Sequence, residues 1–174
     1  MKLASITIII LTHLNTFCQE NLNIKSDSTT ANFYYLSEET KGTVSNCKIN
    51  IQISDELIGK NSISGSALLN NLSTNNPIRD KHLKSKTYFN IKGFPEIKFS
   101  SNDFHIIDSK HKEEWATCKG ILELKGFKKE LIFKIYKDNK KLTFKTELYA
   151  DDFGVAIKKG RENSLVKIEI PIYL

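Results

Sequence analysis

The 174-residue chain reads as an all-β domain of about eight antiparallel strands interrupted once by a short helix, and three observations predict this. Hydrophobicity alternates with a period of two through most of the chain after Gln19. Turn signals separate the alternating runs at hairpin spacing, and a single stretch, from Leu72 to Asn90, departs from the period. Period-two alternation puts successive side chains on opposite faces, as a strand with one buried and one wet face requires.

Three runs are clear. Cys47, Ile49, Ile51 and Ile53 share a face against Lys48, Asn50 and Gln52. Leu142, Phe144, Thr146 and Leu148 oppose Thr143, Lys145 and Glu147, and Val166, Ile168, Ile170 and Ile172 oppose Lys167, Glu169 and Pro171. Weaker alternation over Ala31 to Leu36, Ile63 to Leu69, Glu96 to Ser101, Trp115 to Leu124 and Glu130 to Lys137 brings the number to about eight. Asp138 with Asn139, and Lys125 with Gly126 and Phe127, stand between neighbouring runs where hairpin turns belong. Strands in hairpin order form a meander that either stacks as a sandwich or closes as a barrel, and periodicity is compatible with both.

The interruption has its own logic. Asn76 can cap a helix whose first residue is Pro77, where a missing amide is harmless and the fixed φ suits a helical start. The spacing predicts a helix from Pro77 to about Lys84, a second turn around Tyr88 and Phe89, and a return to extended backbone before Pro95. One helical excursion in a β chain is expected to lie across an end of the sheet structure.

The first residues behave differently. Lys2 precedes the largely apolar run Leu3 to Leu14, which is too short to span a bilayer, and Thr16 and Cys18 place small side chains where a signal peptidase would need them. Residues 1–18 are therefore expected to be a signal peptide and residues 19–174 the exported, periplasmic or secreted domain. Lipidation of Cys18 is the alternative; Asn15 and Phe17 fit it poorly. After such a cut 25 basic residues face 20 acidic ones. The excess is spread through mixed runs, so it reads as a solvated surface compatible with at most peripheral attraction to anionic lipid, and nucleic acid is not an expected partner. Cys47 and Cys118 sit in strand-like runs, either as small buried side chains or as a bonded pair. No CxxC or Cys/His cluster with metal spacing occurs, so neither a metal nor a cofactor is expected.

The segment Thr74, Asn75, Asn76, Pro77, Ile78, Arg79, Asp80, Lys81, His82, Leu83 resembles the YceI-like family pattern Thr-x-Asn-x-x-Arg-Asp-x-His-Leu. The aromatic pair Tyr88 and Phe89, the run Pro95, Glu96, Ile97, Lys98, Phe99, Ser100, Ser101, the Gly120 to Lys129 hairpin and Asp152, Phe153, Gly154 extend the likeness from about Ala31 to the C-terminus. The family departs from this chain at Asn75, where glycine is common, at Tyr149 with Ala150, and at Asn163 with Ser164. The resemblance implies an eight-stranded antiparallel lipocalin-like barrel, export, and a polyisoprenoid or related lipid such as a quinone precursor threaded along an apolar lumen. It also brings the prospect of a homodimer.

A barrel of eight strands has room for its own side chains or one slender ligand. Ile51, Leu69, Ile97, Phe99, Leu122, Phe133 and Phe144 are the expected lumen contacts, and Arg79, Asp80 and His82 the expected polar contacts at its mouth. The same three residues are the one cluster that suggests chemistry. No nucleophile with an oriented base is legible beside them, so a binding protein is expected rather than an enzyme; an envelope enzyme and a stress-related structural protein with a filled lumen are the alternatives. His105 and His111 fall in a polar stretch, Asn102 to Glu114, expected to be a long solvated hairpin connection.

Intact mass spectrometry of the exported protein is expected to show a chain beginning at Gln19. A mass retaining Cys18 with added acyl chains would replace the soluble form with a membrane-tethered one.

Overall fold

The computed structural model describes residues 22–53, 61–107 and 114–174. The expected signal peptide, residues 1–18, and His111 lie outside the described residues. Among these, nine strands and one α-helix occur in the order β1 (Leu22–Tyr35), β2 (Thr40–Ile53), β3 (Ser62–Leu68), β4 (Leu72–Ser73), α1 (Pro77–Lys84), β5 (Glu96–Ile106), β6 (Glu114–Leu124), β7 (Phe127–Asp138), β8 (Lys141–Tyr149) and β9 (Leu165–Tyr173).

Every pairing is antiparallel, and the ring runs β1, β9, β8, β7, β6, β5, β3, β2 and back to β1. Closure falls on β1. Its whole length pairs with β2, from Leu22 opposite Ile53 to Tyr35 opposite Thr40, while Asn32 to Tyr35 also pair with Glu169 to Val166 of β9. The eight-stranded barrel is therefore closed, and the two-residue β4 is an addition on Thr43 and Val44 of β2.

Three strands run well past their alternation: β1 begins at Leu22, and in β2 and β5 a bulge shifts the phase. In β2, Cys47 lies opposite Thr29 and Val44 opposite Ala31, so Ser45 and Asn46 face a single residue, with Asn46 at φ 56°. The inward face passes from Cys47 to Val44 across three positions instead of two, which hides the strand's first half from a period-two reading. In β5, Ser101 and Asn102 face Gly120 alone, and Phe104 turns inward out of phase with Ile97 and Phe99. The expectation that Asn102 to Glu114 is a solvated connection is thus corrected: β5 continues to Ile106 and β6 begins at Glu114. Phe104 packs edge-on against Trp115, ring centroids 5.6 Å apart, and Lys137 Nζ lies 4.8 Å from the Trp115 ring.

The helix has the predicted start. The Asn76 side chain accepts from the amides of Ile78 and Arg79 at 3.1 Å, and Pro77 occupies the first turn. Its end is set by Ser85, whose amide donates to His82 O at 3.0 Å; the following turn then folds back through the Phe89 amide onto Leu83 O.

Cys47 and Cys118 are free and buried in different apolar clusters, and burial raises the pKa of both thiols. They serve as small core side chains.

The β6–β7 hairpin turns on Lys125 and Gly126, at φ 52° and 80°, between Leu124 and its partner Phe127. Two central residues with positive φ match the twist of the flanking strands. Gly126→Ala should lower stability in urea unfolding by about 1–2 kcal/mol, the usual penalty for a Cβ in left-handed backbone; a Cβ there would also stand 2.8 Å from Phe94 Cε1. Lys125→Asn suits the same backbone region but gives up the Nζ bonds to Thr87 O and Gly154 O, so it should cost less than Gly126→Ala.

Candidate functional site

The inward side chains form two apolar clusters stacked along the barrel. The first holds Ile51, Ile53, Phe104, Ala116, Cys118, Ile135 and Leu142, all fully or almost fully buried. The second, beneath α1, holds Val44, Leu69, Leu72, Leu83, Leu124, Leu148 and Phe153. A cavity of about 650 Å³ occupies the second half of the barrel. Its lining includes Leu69, Ile97, Phe99, Leu122, Phe133 and Phe144 from the expected lumen set.

Three of these form its floor. The Phe99 and Phe133 rings meet edge to face with centroids 5.0 Å apart, and Phe133 and Phe144 do so at 6.2 Å. Beyond them Ile135, Leu142, Cys118 and Ala116 do not line the cavity and are completely buried, whereas Ile49, Ile63 and Ile172 of the same cluster reach it. Gly120 makes room for the floor, since a Cβ there would sit 2.5 Å from Phe99 Cζ. Ile51 shares the inward face as expected but is 0% exposed and does not line the cavity. Its β3 partner Ile63 and its same-face neighbour Ile49 do line the cavity, so Ile51 lies just beyond its edge.

The mouth is built around Thr74, which is buried at the end of β4. Its hydroxyl donates to Asp80 Oδ1 at 2.6 Å and accepts from Arg79 Nε at 2.8 Å; its amide donates to the same carboxylate oxygen at 2.8 Å. Arg79 Nη2 donates to Thr74 O at 3.0 Å and Nη1 reaches Thr40 Oγ1 of β2 at 3.3 Å. Thr74 thus bolts α1 to the barrel rim. On an α-helix at about 100° per residue, Arg79 falls beside the buried Leu83, and this turns its guanidinium inward over the cavity. His82 also borders the mouth, with Asn76 and Ile78. Asp80 does not border it; the carboxylate is committed to Thr74. Burial opposes its ionisation, yet the hydrogen bonds from the Thr74 hydroxyl and amide, with Ser73 and Lys84 contributing, hold its pKa below the ordinary aspartate range.

Among the described residues no hydrogen bond or ion pair joins Arg79, Asp80 and His82 directly, and no carboxylate lies within ion-pair distance of Arg79. His105 pairs with Asp103 at 2.6 Å on the outer wall, remote from this mouth. No group of three or more His, Cys, Asp or Glu suited to a metal occurs among the described residues.

Sequence reasoning missed several lining residues. Leu83 and Phe89 were legible in principle, Leu83 being one turn beyond the inward Arg79. Val155 and Ile157 were not, because the backbone between Gly154 and Gly160 follows no strand period.

Asp80→Ala should loosen α1 and lower global stability by about 1 kcal/mol, the usual net value of such hydrogen bonds. Because the folded-state pKa is depressed, the tether contributes fully above the ordinary aspartate value of about 3.9 and is lost as pH falls through the lower folded value. Acid titration of thermal stability should accordingly show a smaller loss below pH ~4 in the Asp80→Ala variant than in the wild type.

A YceI-like domain model matches residues 22–174. A UPF0312 protein from Photorhabdus laumondii is 37% identical over 73 residues, a match spanning 42% of this chain and 35% of that relative's length. Burkholderia cenocepacia BcnA superposes with a TM-score of 0.64 at 13% identity, over 84% of this chain and 95% of its own. A polyisoprenoid binding domain from Saccharophagus degradans superposes with a TM-score of 0.52 at 9% identity, over 87% and 95% of the two chains. At these identities the two solved structures share the fold.

Proposed function

The chain belongs to the YceI-like family, and from that premise and the shape of its lumen we propose that it is an exported binding protein that holds a long apolar lipid, of polyisoprenoid class, in the upper half of the barrel. The carrying observation is the cavity: about 650 Å³ lined mainly by Leu, Ile, Val and Phe side chains, with Glu38, Thr40, Asn76, Arg79 and His82 at the mouth and Lys48, Ser64 and Ser66 along β2 and β3. The Saccharophagus degradans domain of the same fold, a polyisoprenoid binder, supports that ligand class.

The volume sets a scale. At roughly 30 Å³ per carbon-sized group, taking a methylene as similar to a water's share of the liquid, the cavity receives about 20 groups, or some four isoprene units. Each buried methylene contributes about 0.8 kcal/mol, so such a chain exceeds even a generous association cost without any specific polar contact. A longer chain would leave its remainder and headgroup at the mouth, where the Arg79 guanidinium, hydrogen-bonded to Thr74 and Thr40, carries a charge that no carboxylate pairs with among the described residues.

The same mouth supports binding over chemistry. Arg79 and Asp80 are both spent on Thr74, and His82 has no aligned nucleophile in this arrangement.

Organic extraction of protein purified from its native envelope, followed by mass spectrometry, should recover a chain lipid near one per protein. Phe144→Asp puts a carboxylate into the floor and should abolish that recovery, since an unpaired charge against hydrocarbon is costly. Lys145→Gln, one residue along on the outer face where Lys145 pairs with Glu169 at 3.2 Å, should leave it intact. Wild-type protein that never yields lipid, together with outright unfolding of Phe144→Asp, would make this face a packed core and overturn the proposal.

A further inference from the structure

The cations of this protein are distributed in two ways. On the barrel wall, lysines meet carboxylates across neighbouring strands: Lys119 with Glu130, Lys134 with Glu114, Lys145 with Glu169 and Lys167 with Glu147, all at 3.1–3.3 Å. In the helical segment at the mouth they do not. Residues 74–95 carry five basic groups and one acid, a net of +4 out of +6 for the entire chain. The single acid, Asp80, is turned onto Thr74. Lys81, Lys86 and Lys92 are exposed and make no ion pair among the described residues, and Lys84 donates to Asn70 O with Asp80 in electrostatic reach. Of the other acids at this end, Glu38 pairs with Lys158 and Asp152 with Arg161, while Glu39 and Asp151 are exposed without an ion pair among the described residues.

Apolar side chains stand among these cations. Ile78 is 72% exposed although it borders the cavity mouth, and helical spacing places it one turn from Lys81 on the outward face of α1. Phe94, 38% exposed, lies over Gly126, and Phe127, 47% exposed, lies over Gly154. Lys125 Nζ ties the three segments together by donating to Thr87 O and Gly154 O.

We propose that this end of the barrel, α1 with the turn that follows it, docks on an anionic lipid surface, so that the lumen opens directly against the bilayer. Unpaired lysines around protruding apolar groups are the chemistry that recognises acidic headgroups and enters the interface beneath them. A nucleic acid or acidic protein would match the charge but leave Ile78 and the adjoining apolar lumen without a counterpart. The inference rests on the lipid-carrier reading and gives it a route: a chain passes between bilayer and lumen without crossing water.

The test is co-sedimentation of the purified full chain with vesicles of phosphatidylcholine alone or with a minor share of phosphatidylglycerol. All variants carry the same N-terminus, so differences report on the barrel. Binding should require the anionic lipid and weaken with salt. The combined variant Lys81→Gln, Lys86→Gln, Lys92→Gln should lose on the order of 100-fold in affinity, given roughly fivefold per lysine at such a surface. Its counterpart with Arg at the three positions should bind like the wild type. A control with equal charge loss on the wall, Lys134→Gln, Lys145→Gln, Lys167→Gln, should lose far less. Equal losses in the two Gln variants, indifference to phosphatidylglycerol, or no binding to either vesicle would overturn the proposal, the last assigning the surface to a protein partner. Uptake of a fluorescent polyprenyl probe from detergent, measured alongside, separates the two readings: anionic vesicle binding without probe uptake removes the lumen ligand and leaves the docking surface standing, whereas probe uptake without vesicle binding does the reverse.

Discussion

The architecture depends on β1 being hydrogen-bonded along both edges. A meander of alternating strands has an apolar face that must be covered and two edges that must be paired or protected. Here Asn32 to Tyr35 bond to β9 on one side and to β2 on the other, so the sheet covers its own face and has no open edge at the seam. The bulges in β1 and β2 belong to this solution, because extra residues bend and twist a strand as a narrow barrel demands. Once the seam is closed, every inward side chain is committed to the interior, and the remaining question is how that interior is filled.

It is filled unevenly. A cavity costs stability because its lining atoms lack contacts on one side. The lower half compensates: Ile51, Ala116, Cys118, Ile135 and Leu142 are all at or near zero exposure, and the Phe99, Phe133 and Phe144 rings interlock edge to face above them. The floor is a junction between a half that stabilises the fold and a half that remains available to a ligand. Gly120 is the concession that lets Phe99 take its place there.

The mouth shows the same economy of parts. One threonine hydroxyl, on Thr74, serves a carboxylate and a guanidinium together, fixing α1 on the rim while aiming Arg79 at the lumen. With Asp80 spent inward, the outward face of the helix segment is left cationic, in contrast to a wall whose lysines are balanced across strands. The contrast separates a surface that is merely solvated from one with an unmet partner.

The sequence by itself determined the face of most strand residues, the helix start at Asn76 and Pro77, and the strand count, because these follow from local backbone geometry: two residues per pleat, a cap, a fixed φ. It also carried the family pattern on which the barrel expectation stood, where periodicity alone left the sandwich open. Asn75, noted as standing in a glycine position, adopts φ 57°, a backbone region asparagine tolerates. What only the tertiary structure decided was height and phase. Ile51 and Phe133 both point inward and share one apolar cluster, yet only Phe133 lines the cavity, because position within the lumen depends on register and strand tilt across the ring, which no single strand encodes. Phe104 and Val44 escaped the alternation for a related reason: a bulge is defined by two residues facing one on a partner strand, and that partner is known only after the strands have paired.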